Sequence, residues 1–565
     1  ALLLIGIVSV AIGKQPHITL SSSQPQSMPN QLADPARATT QAGAIAKRPR
    51  EKHALLRRNL DIITAAAEDK EGQYSSEIVV QATATTGELF QADTSAILNL
   101  SACDFQAMFS LLSSHRDDVH LRQVTATVLS SIAAVPEAHT HFLRNGTDGV
   151  GVMLECLSSA AGNLKTITAL VALLSNLSLN PSLQWALASH PKFESTIAPL
   201  LRTQDITTLA LGRDRILLSV FATLTNICSN PECAQHTGTW HRLSFALVSF
   251  LNSEMGGCKD VKSSHATPLG IAVKEIIMHC IINVCSGSPL LKRLKHDGLL
   301  TSLSIMLKSE TRTLLAPRGK EKHPQARPDS ICALVLEAIG QASLHFDCDL
   351  LLIGCLSSVT QLLTVATAPP AAAATKTVPP APLSMQVLYA AVICLANIAS
   401  GKPQVRQLLF TFPVMPSLAQ LLSSPFPELS GPETSQNDDH QTEAEADSNE
   451  QMWRAFEVRT ACCGLVCNLA ASPDCGIPML RSGFVTSVLS CLEQLGRPLT
   501  WSQTGDAHKD AWFKRRTRLA TFGCKALASL LQGPTLEAMQ CHDDTMIDMI
   551  HKQLTDSLVG DSRLG

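Results

Sequence analysis

Five times along this chain an apolar run ends in Asn, a branched or leucine side chain and then a small residue, and a proline follows five or six positions after the Asn. The copies are Leu174–Ser178 with Asn176 and Pro181, Leu224–Cys228 with Asn226 and Pro231, Ile282–Cys285 with Asn283 and Pro289, Ala396–Ala399 with Asn397 and Pro403, and Cys467–Ala470 with Asn468 and Pro473. Each copy reads as the last turns of a buried helix followed by a stop. One such phrase is unremarkable, but five in order require a repeat architecture, in which each unit hides an apolar face against its neighbour.

Degenerate copies fill the intervals. Ser131 takes the Asn place before Pro136, Gln341 takes it in Ile339–Ser343, and Ser529 takes it before Pro534. The eight markers, at 131, 176, 226, 283, 341, 397, 468 and 529, are 45 to 71 residues apart. A unit of two or three helices needs about 40–47 residues, so the excess belongs to loops. A second phrase, an apolar run ending in a leucine pair or its like, follows the markers in register. Its copies are Val152–Leu157, Ile197–Leu201, Leu247–Leu251, Leu303–Leu307, Val359–Leu363, Leu418–Leu422 and Val488–Leu492.

The segment 104–146 gives the order of elements within a unit. Phe105, Met108, Leu111 and Leu112 mark one amphipathic helix; Leu121, Val124, Val128 and Ile132 mark a longer one. After Pro136 a short helix around His141-Phe-Leu143 runs into Asn145-Gly146. This order resembles the armadillo repeat, in which a short first helix, a bend at Gly and two longer helices follow one another and the third helix carries Asn. The resemblance implies an all-α fold, a right-handed α-solenoid of armadillo-like three-helix repeats with long inter-helix loops.

The expected organisation has five parts. Residues 1–14 read as a remnant of an upstream repeat helix, because Val8–Ala11 followed by Pro16 echoes the marker phrase and the chain starts at Ala1. Residues 15–50, rich in Ser, Gln, Pro and Ala, read as a disordered linker. Residues 51–85 read as N-terminal capping helices, with Leu55, Leu56, Leu60 and Ile63 at helical spacing. Residues 86–560 are the array, and 366–383 and 423–450 are disordered insertions within it.

Six long segments separate the leucine-pair helix from the marker helix: Thr203–Gly212, Ser253–Pro268, Lys308–Pro328, Ala366–Leu383, Ser423–Glu450 and Gly496–Asp510. Equivalent placement in stacked units puts them on one edge. Lys308–Pro328 is basic and Ser423–Glu450 is acidic. They read equally as interaction tails or as expansions that a surface loop tolerates at little free-energy cost.

Composition narrows the function. A formal charge of −3 argues against nucleic acid, which needs a net basic face. The apolar stretch Ala1–Ile12 is shorter than the about 20 residues of a bilayer span, so no membrane partner is expected. The chain has 18 cysteines but no Cys-x-x-Cys, and most lie in apolar helical phrases; they read as reduced, buried small hydrophobes of a cytoplasmic chain. Lys47-Arg-Pro-Arg50 could be a nuclear address but reads better as a helix-flanking charge run.

No GxxxxGK[ST], GxSxG or HExxH is present, so neither an enzyme nor a cofactor is expected. His139 and His141 do not share a helical face, and the adjacent residues Cys541–Asp544 read as a surface turn rather than a metal site. The sequons at Asn99, Asn145 and Asn176 are discounted, Asn176 lying within a packed helix.

What remains is the Asn row, Asn176, Asn226, Asn283, Asn397 and Asn468. An Asn amide offers two donors and one acceptor. The armadillo resemblance implies that such a row hydrogen-bonds the backbone of an extended peptide in the groove; the alternative is that each Asn ties a neighbouring helix end. Importin-alpha-like grooves add a Trp four residues before each Asn, where this chain has Ala172, Ala222, His279, Ile393 and Gly464. A row of Lys and Arg, as a beta-catenin-like acidic-peptide groove would need, is not expected either. The function read from the sequence is a non-enzymatic scaffold binding partner proteins, as an extended peptide or a helical segment. The alternatives are an armadillo-type regulator of a small GTPase or kinase, and a centriole or cilium assembly protein. The last rests on a C-terminal array that resembles those of large rotatin-like proteins, and implies placement at the centrosome or cilium base.

Overall fold

The computed structural model describes residues 49–531 except 69–73, 116–117, 145–148, 161–162, 203–209, 256–267, 287–288, 316–328, 346–348, 368–382, 402, 425–440 and 496–505. All regular structure among the described residues is helical. Nine of these helices form a spine: α1 (Ser76–Ala92), α2 (Val119–Ala133), α3 (Leu164–Leu177), α4 (Ala210–Ser229), α5 (Pro268–Cys285), α6 (Asp329–Ser343), α7 (Met385–Ala399), α8 (Gln441–Ala470) and α9 (Asp506–Leu530). Each packs on the one before it and the one after it. The markers fall in the final turns of α2 through α9.

A second layer runs alongside the spine: Pro49–Ala67, Ala102–Ser114, Gly149–Ser159, Phe193–Arg202, His241–Phe250, Leu299–Leu315, Asp349–Thr367, Val414–Ser423 and Phe484–Leu495. These helices carry the leucine-pair phrases and also stack in chain order, with the π-helical turn Leu251–Met255 linking His241–Phe250 to Leu299–Leu315. Short helices make the third ladder, for example Pro181–Ser189, Leu290–His296, Pro403–Phe410 and Pro473–Arg481. This is an all-α solenoid with the short–medium–long helix order read from the sequence. One apolar core runs through it from Leu56 to Leu530.

The recurring proline now has a cause. Pro181, Pro231, Pro403 and Pro473 are the first residues of their short helices, where the missing N–H is not needed and the fixed φ suits a helix start. At Pro181 the preceding residue completes the cap, because Asn180 accepts from the Ser182 amide at 3.0 Å. The turn from short to second helix uses glycine where it is described with positive φ, at Gly298 (99°) and Gly483 (77°), a conformation costly for other residues.

Two buried arginines lock spine to second layer. Arg122 on α2 donates to the Cys156 carbonyl at 2.9 Å and to Ser159 Oγ at 2.8 Å. Arg459 on α8 donates to the carbonyls of Leu421 (3.3 Å) and Ser424. Both reach the end of a second-layer helix, where backbone carbonyls lack partners of their own. The two histidines weighed above are packing residues: buried His139 bonds the Ala133 carbonyl through Nε2 at 2.7 Å, and His141 stacks on Phe105 at 4.5 Å. Most described cysteines are buried, and burial pushes the thiols of Cys233 and Cys332 up to about 11 and about 12.

The expected boundaries shift in three places. Residues 441–450, expected to be disordered with the rest of 423–450, form the start of the 30-residue helix α8. Their Gln, Glu and Ala are strong helix formers, and acidic side chains near a helix start complement its dipole. Lys308–Leu315 likewise belongs to the helix Leu299–Leu315 rather than to a loop. The 85/86 division falls inside α1, which packs on both Pro49–Ala67 and α2. The expectations for 1–48, for 368–382, for 425–440, for Asn145-Gly146 and for Cys541–Asp544 lie outside the described residues.

Candidate peptide groove

All five Asn side chains are half-buried in the last turns of successive spine helices. Asn176 Nδ2 donates to the Ser130 carbonyl at 3.0 Å, Asn283 Nδ2 to the Thr225 carbonyl at 3.2 Å, and Asn468 Nδ2 to the Ala396 carbonyl at 2.8 Å. In each case the acceptor is the residue just before the marker of the preceding spine helix. Asn226 departs slightly, donating to Ser178 Oγ at 2.9 Å. Asn397 makes no such bond; its Nδ2 lies beside Gly340 of α6, 3.3 Å from where a Cβ on that glycine would sit. The tying role weighed above is therefore present for four of the five. It uses one N–H; among the described residues no hydrogen bond is recorded to any of the five Oδ1 atoms. The second N–H and the carbonyl oxygen take no part in the tie, so it does not consume the amide.

Removing one such tie has a modest expected effect. Asn468→Ala should lower stability by about 1 kcal/mol, the typical net contribution of one hydrogen bond, measured by urea unfolding. An unchanged midpoint would mean that the 2.8 Å contact contributes nothing.

Toward the C-terminal end the marker face opens into a concavity of about 950 Å³ between α6, α7, α8 and α9. Gln341, Asn397 and Asn468 line it, with Tyr389, Ile393, Phe456 and Gly464 along the floor. Its far wall is α9, which contributes Lys514, Arg515, Arg518, Phe522 and Lys525. The expectation of a groove without a row of Lys and Arg fails here. The cations are not spread one per repeat, the pattern sought in the sequence; they come from one helix.

Local electrostatics follow from that wall. Arg515 Nε stands 3.9 Å from Glu457 Oε1, and its guanidinium lies over the Trp453 ring at 4.9 Å. Lys525 lies over Phe522 at 5.6 Å. Burial pushes the Tyr389 phenol up, helped by Glu457 and opposed by Arg518. Farther along the face, His279 is held below its ordinary value by burial, opposed by Glu275.

Glu337, one turn before Gln341 on α6, is half-buried, and burial pushes its carboxyl up. A carboxyl with a folded pKa above its unfolded one binds more protons in the folded state. Stability then falls as pH rises from the unfolded value through the raised folded one. Glu337→Gln should raise the thermal midpoint at neutral pH and flatten that fall. A variant with the wild-type pH slope would remove Glu337 as its source.

Among the described residues no His, Cys, Asp and Glu group could hold a metal ion, and no single helix is long and apolar enough to cross a membrane. No protein-family model matches the chain, and no curated protein matches it. Solved structures resemble it at low identity. One is an engineered protein, 17% identical, covering 84% of this chain and 99% of its own, with a TM-score of 0.47. A second comes from work on a phosphorylation switch controlling the interaction between cadherin and beta-catenin; it is 14% identical, covering 86% and 82%, with a TM-score of 0.43. A third, a designed armadillo repeat protein, is 17% identical, covering 59% and 98%, with a TM-score of 0.33. At these TM-scores the likenesses add nothing to the fold, which rests on the packing of this chain's own helices.

Proposed function

We propose that this chain is a non-enzymatic protein-binding scaffold that takes an extended segment of a partner along the Asn-bearing face of its spine helices. The supporting observation is the row itself: Asn176, Asn226, Asn283, Asn397 and Asn468 recur at one end of successive helices, each keeping an amide oxygen outside the internal hydrogen bonding. Packed helices lie about 8–10 Å apart, and an extended chain advances about 3.3 Å per residue. Consecutive amides therefore meet peptide groups two or three residues apart, with Oδ1 accepting a peptide N–H and the second Nδ2 hydrogen donating to a peptide carbonyl.

Gly464 tests this reading because it lies on the groove floor. A Cβ there would meet nothing closer than Phe522 at 3.8 Å, so Gly464→Arg places its side chain in the groove without disturbing the core. Peptides selected from a random displayed library on the full chain should bind this variant about tenfold more weakly or worse, with an unchanged circular dichroism spectrum. Equal binding to both proteins would place the peptide elsewhere and sink the proposal.

A further inference from the structure

A second surface carries a chemistry of its own, on the outer side of the second layer rather than on the marker-bearing spine. The helix Leu299–Leu315 buries Leu303, Met306 and Leu307 and turns Ile305, Lys308 and Arg312 to solvent. These three stand at i, i+3 and i+7, one stripe about 10 Å long. In the second-layer helix before it, Phe245 is 56% exposed and Arg242 is exposed beside it. Arg202, at the end of Phe193–Arg202, lies over the Phe245 ring at 5.4 Å. Among the described residues none of these four cations pairs with a carboxylate. The two glutamates of the same three helices are withdrawn: Glu194 accepts the Leu243 amide at 3.1 Å, and Glu310 is half-buried. Elsewhere in the layer the outward places hold neutral or acidic side chains, such as Gln106, Glu155, Gln361, Gln420 and Glu493.

We propose that this outer face docks on an anionic membrane surface, its lysines and arginines meeting lipid headgroups while Phe245 and Ile305 enter the interface. The inference goes beyond the scaffold reading and uses a different face. The sign of the charge calls for an anion, and the shape decides which. Phe245 and Ile305 project from their helices as separate knobs. A folded partner needs a matching pocket for each, whereas a lipid interface yields around a projecting side chain. The cations spread over three stacked helices, which lie about 8–10 Å apart, so they cover an area rather than a track. A nucleic-acid strand follows a track and stacks its bases on open rings, but Arg202 already lies on the Phe245 ring. Clusters of about four to eight lysines and arginines are what an anionic leaflet attracts. Beyond Leu315 the sequence adds Arg318, Lys320, Lys322 and Arg327 against Glu321, charge of the same sign beside a face defined without it. No spanning helix is needed, since a peripheral contact takes only charge and shallow apolar insertion.

The experiment floats the full chain with vesicles of phosphatidylcholine containing about 30% phosphatidylserine, beside vesicles of phosphatidylcholine alone. The chain should bind the anionic vesicles about tenfold more tightly or better. That binding should weaken with salt as the screening length shortens from about 10 Å at 0.1 M to about 3 Å at 1 M. Arg202→Gln/Lys308→Gln/Arg312→Gln and, separately, Phe245→Ser/Ile305→Ser should each weaken it about tenfold or more. All five side chains are exposed, so the circular dichroism spectra should not change. Gly464→Arg should bind the vesicles as the wild type does, which keeps this test apart from that of the peptide groove. No preference for anionic vesicles, or a preference that survives both sets of substitutions, would overturn the proposal. Loss of vesicle binding in Gly464→Arg would place the contact in the groove and overturn it too. Polyglutamate or an oligouridylate bound more tightly than the anionic vesicles, and released by the arginine and lysine substitutions, would replace the membrane with an acidic protein or a nucleic acid.

Discussion

Phe221→Ala should lower stability by about 3–5 kcal/mol, the range for deleting a fully buried aromatic ring from a packed core. Phe221 lies on α4 near the middle of the array, is fully buried, and packs at 5.4 Å against Phe250 of the second layer. The loss has two parts, the transfer of the ring and the void left behind, which tightly packed helices on both sides can only partly close. In a stack held together by nearest-neighbour contacts, a defect in the middle weakens the interfaces on either side of it. The urea curve should therefore broaden or split as well as move, with hydrogen exchange quickening first in α3, α4 and α5. A curve that overlays the wild type, or one that shifts without broadening, would contradict this account of the core.

Gly340→Leu is the second change expected to be severe, at about 3 kcal/mol or less, with a loss of order at one junction. A Cβ on Gly340 would come within 3.1 Å of the Cys394 Cα and 3.3 Å of Asn397 Nδ2. The first of these is backbone, which cannot rotate aside as a flexible side chain can, so α6 and α7 must part. Glycine within a helix costs about 0.5–1 kcal/mol relative to alanine. That cost is offset here, because any Cβ would press the two backbones a few tenths of an ångström apart. Gly464→Leu is the control, since the nearest atom to its Cβ is 3.8 Å away and the helix gains a better helix former. Thermal unfolding of the two variants should diverge clearly, and equal midpoints would show that the close approach at Gly340 is not a packing constraint.

The spine was legible because its signal is local and recurs. Buried turns need apolar residues at fixed spacing, the helix stop needs Pro at the next first position, and Asn176 or Asn468 can be found without knowing what it touches. What the Asn side chains bond to was not legible. The acceptors at Ser130, Thr225 and Ala396 are backbone carbonyls, which carry no residue identity, and they lie 46, 58 and 72 positions away. The basic wall was missed for a different reason. One cation per repeat was sought, whereas Lys514, Arg518 and Lys525 lie on a single helix whose facing only the packing settles. The buried Arg122 and Arg459 were invisible for the same cause: in sequence an arginine on an amphipathic helix looks like surface. The start of α8 was misread because an acidic, apolar-poor run resembles a linker, although its Glu and Ala are strong helix formers.

The close approach at Gly340 has a consequence for how the stack can move. A Cβ there would stand 3.1 Å from the Cys394 Cα, so at this point α6 and α7 meet backbone to backbone, with no side chain that could change rotamer between them. Any shear of one helix over the other at this level has to displace main chain, which makes this junction a register mark for the C-terminal units.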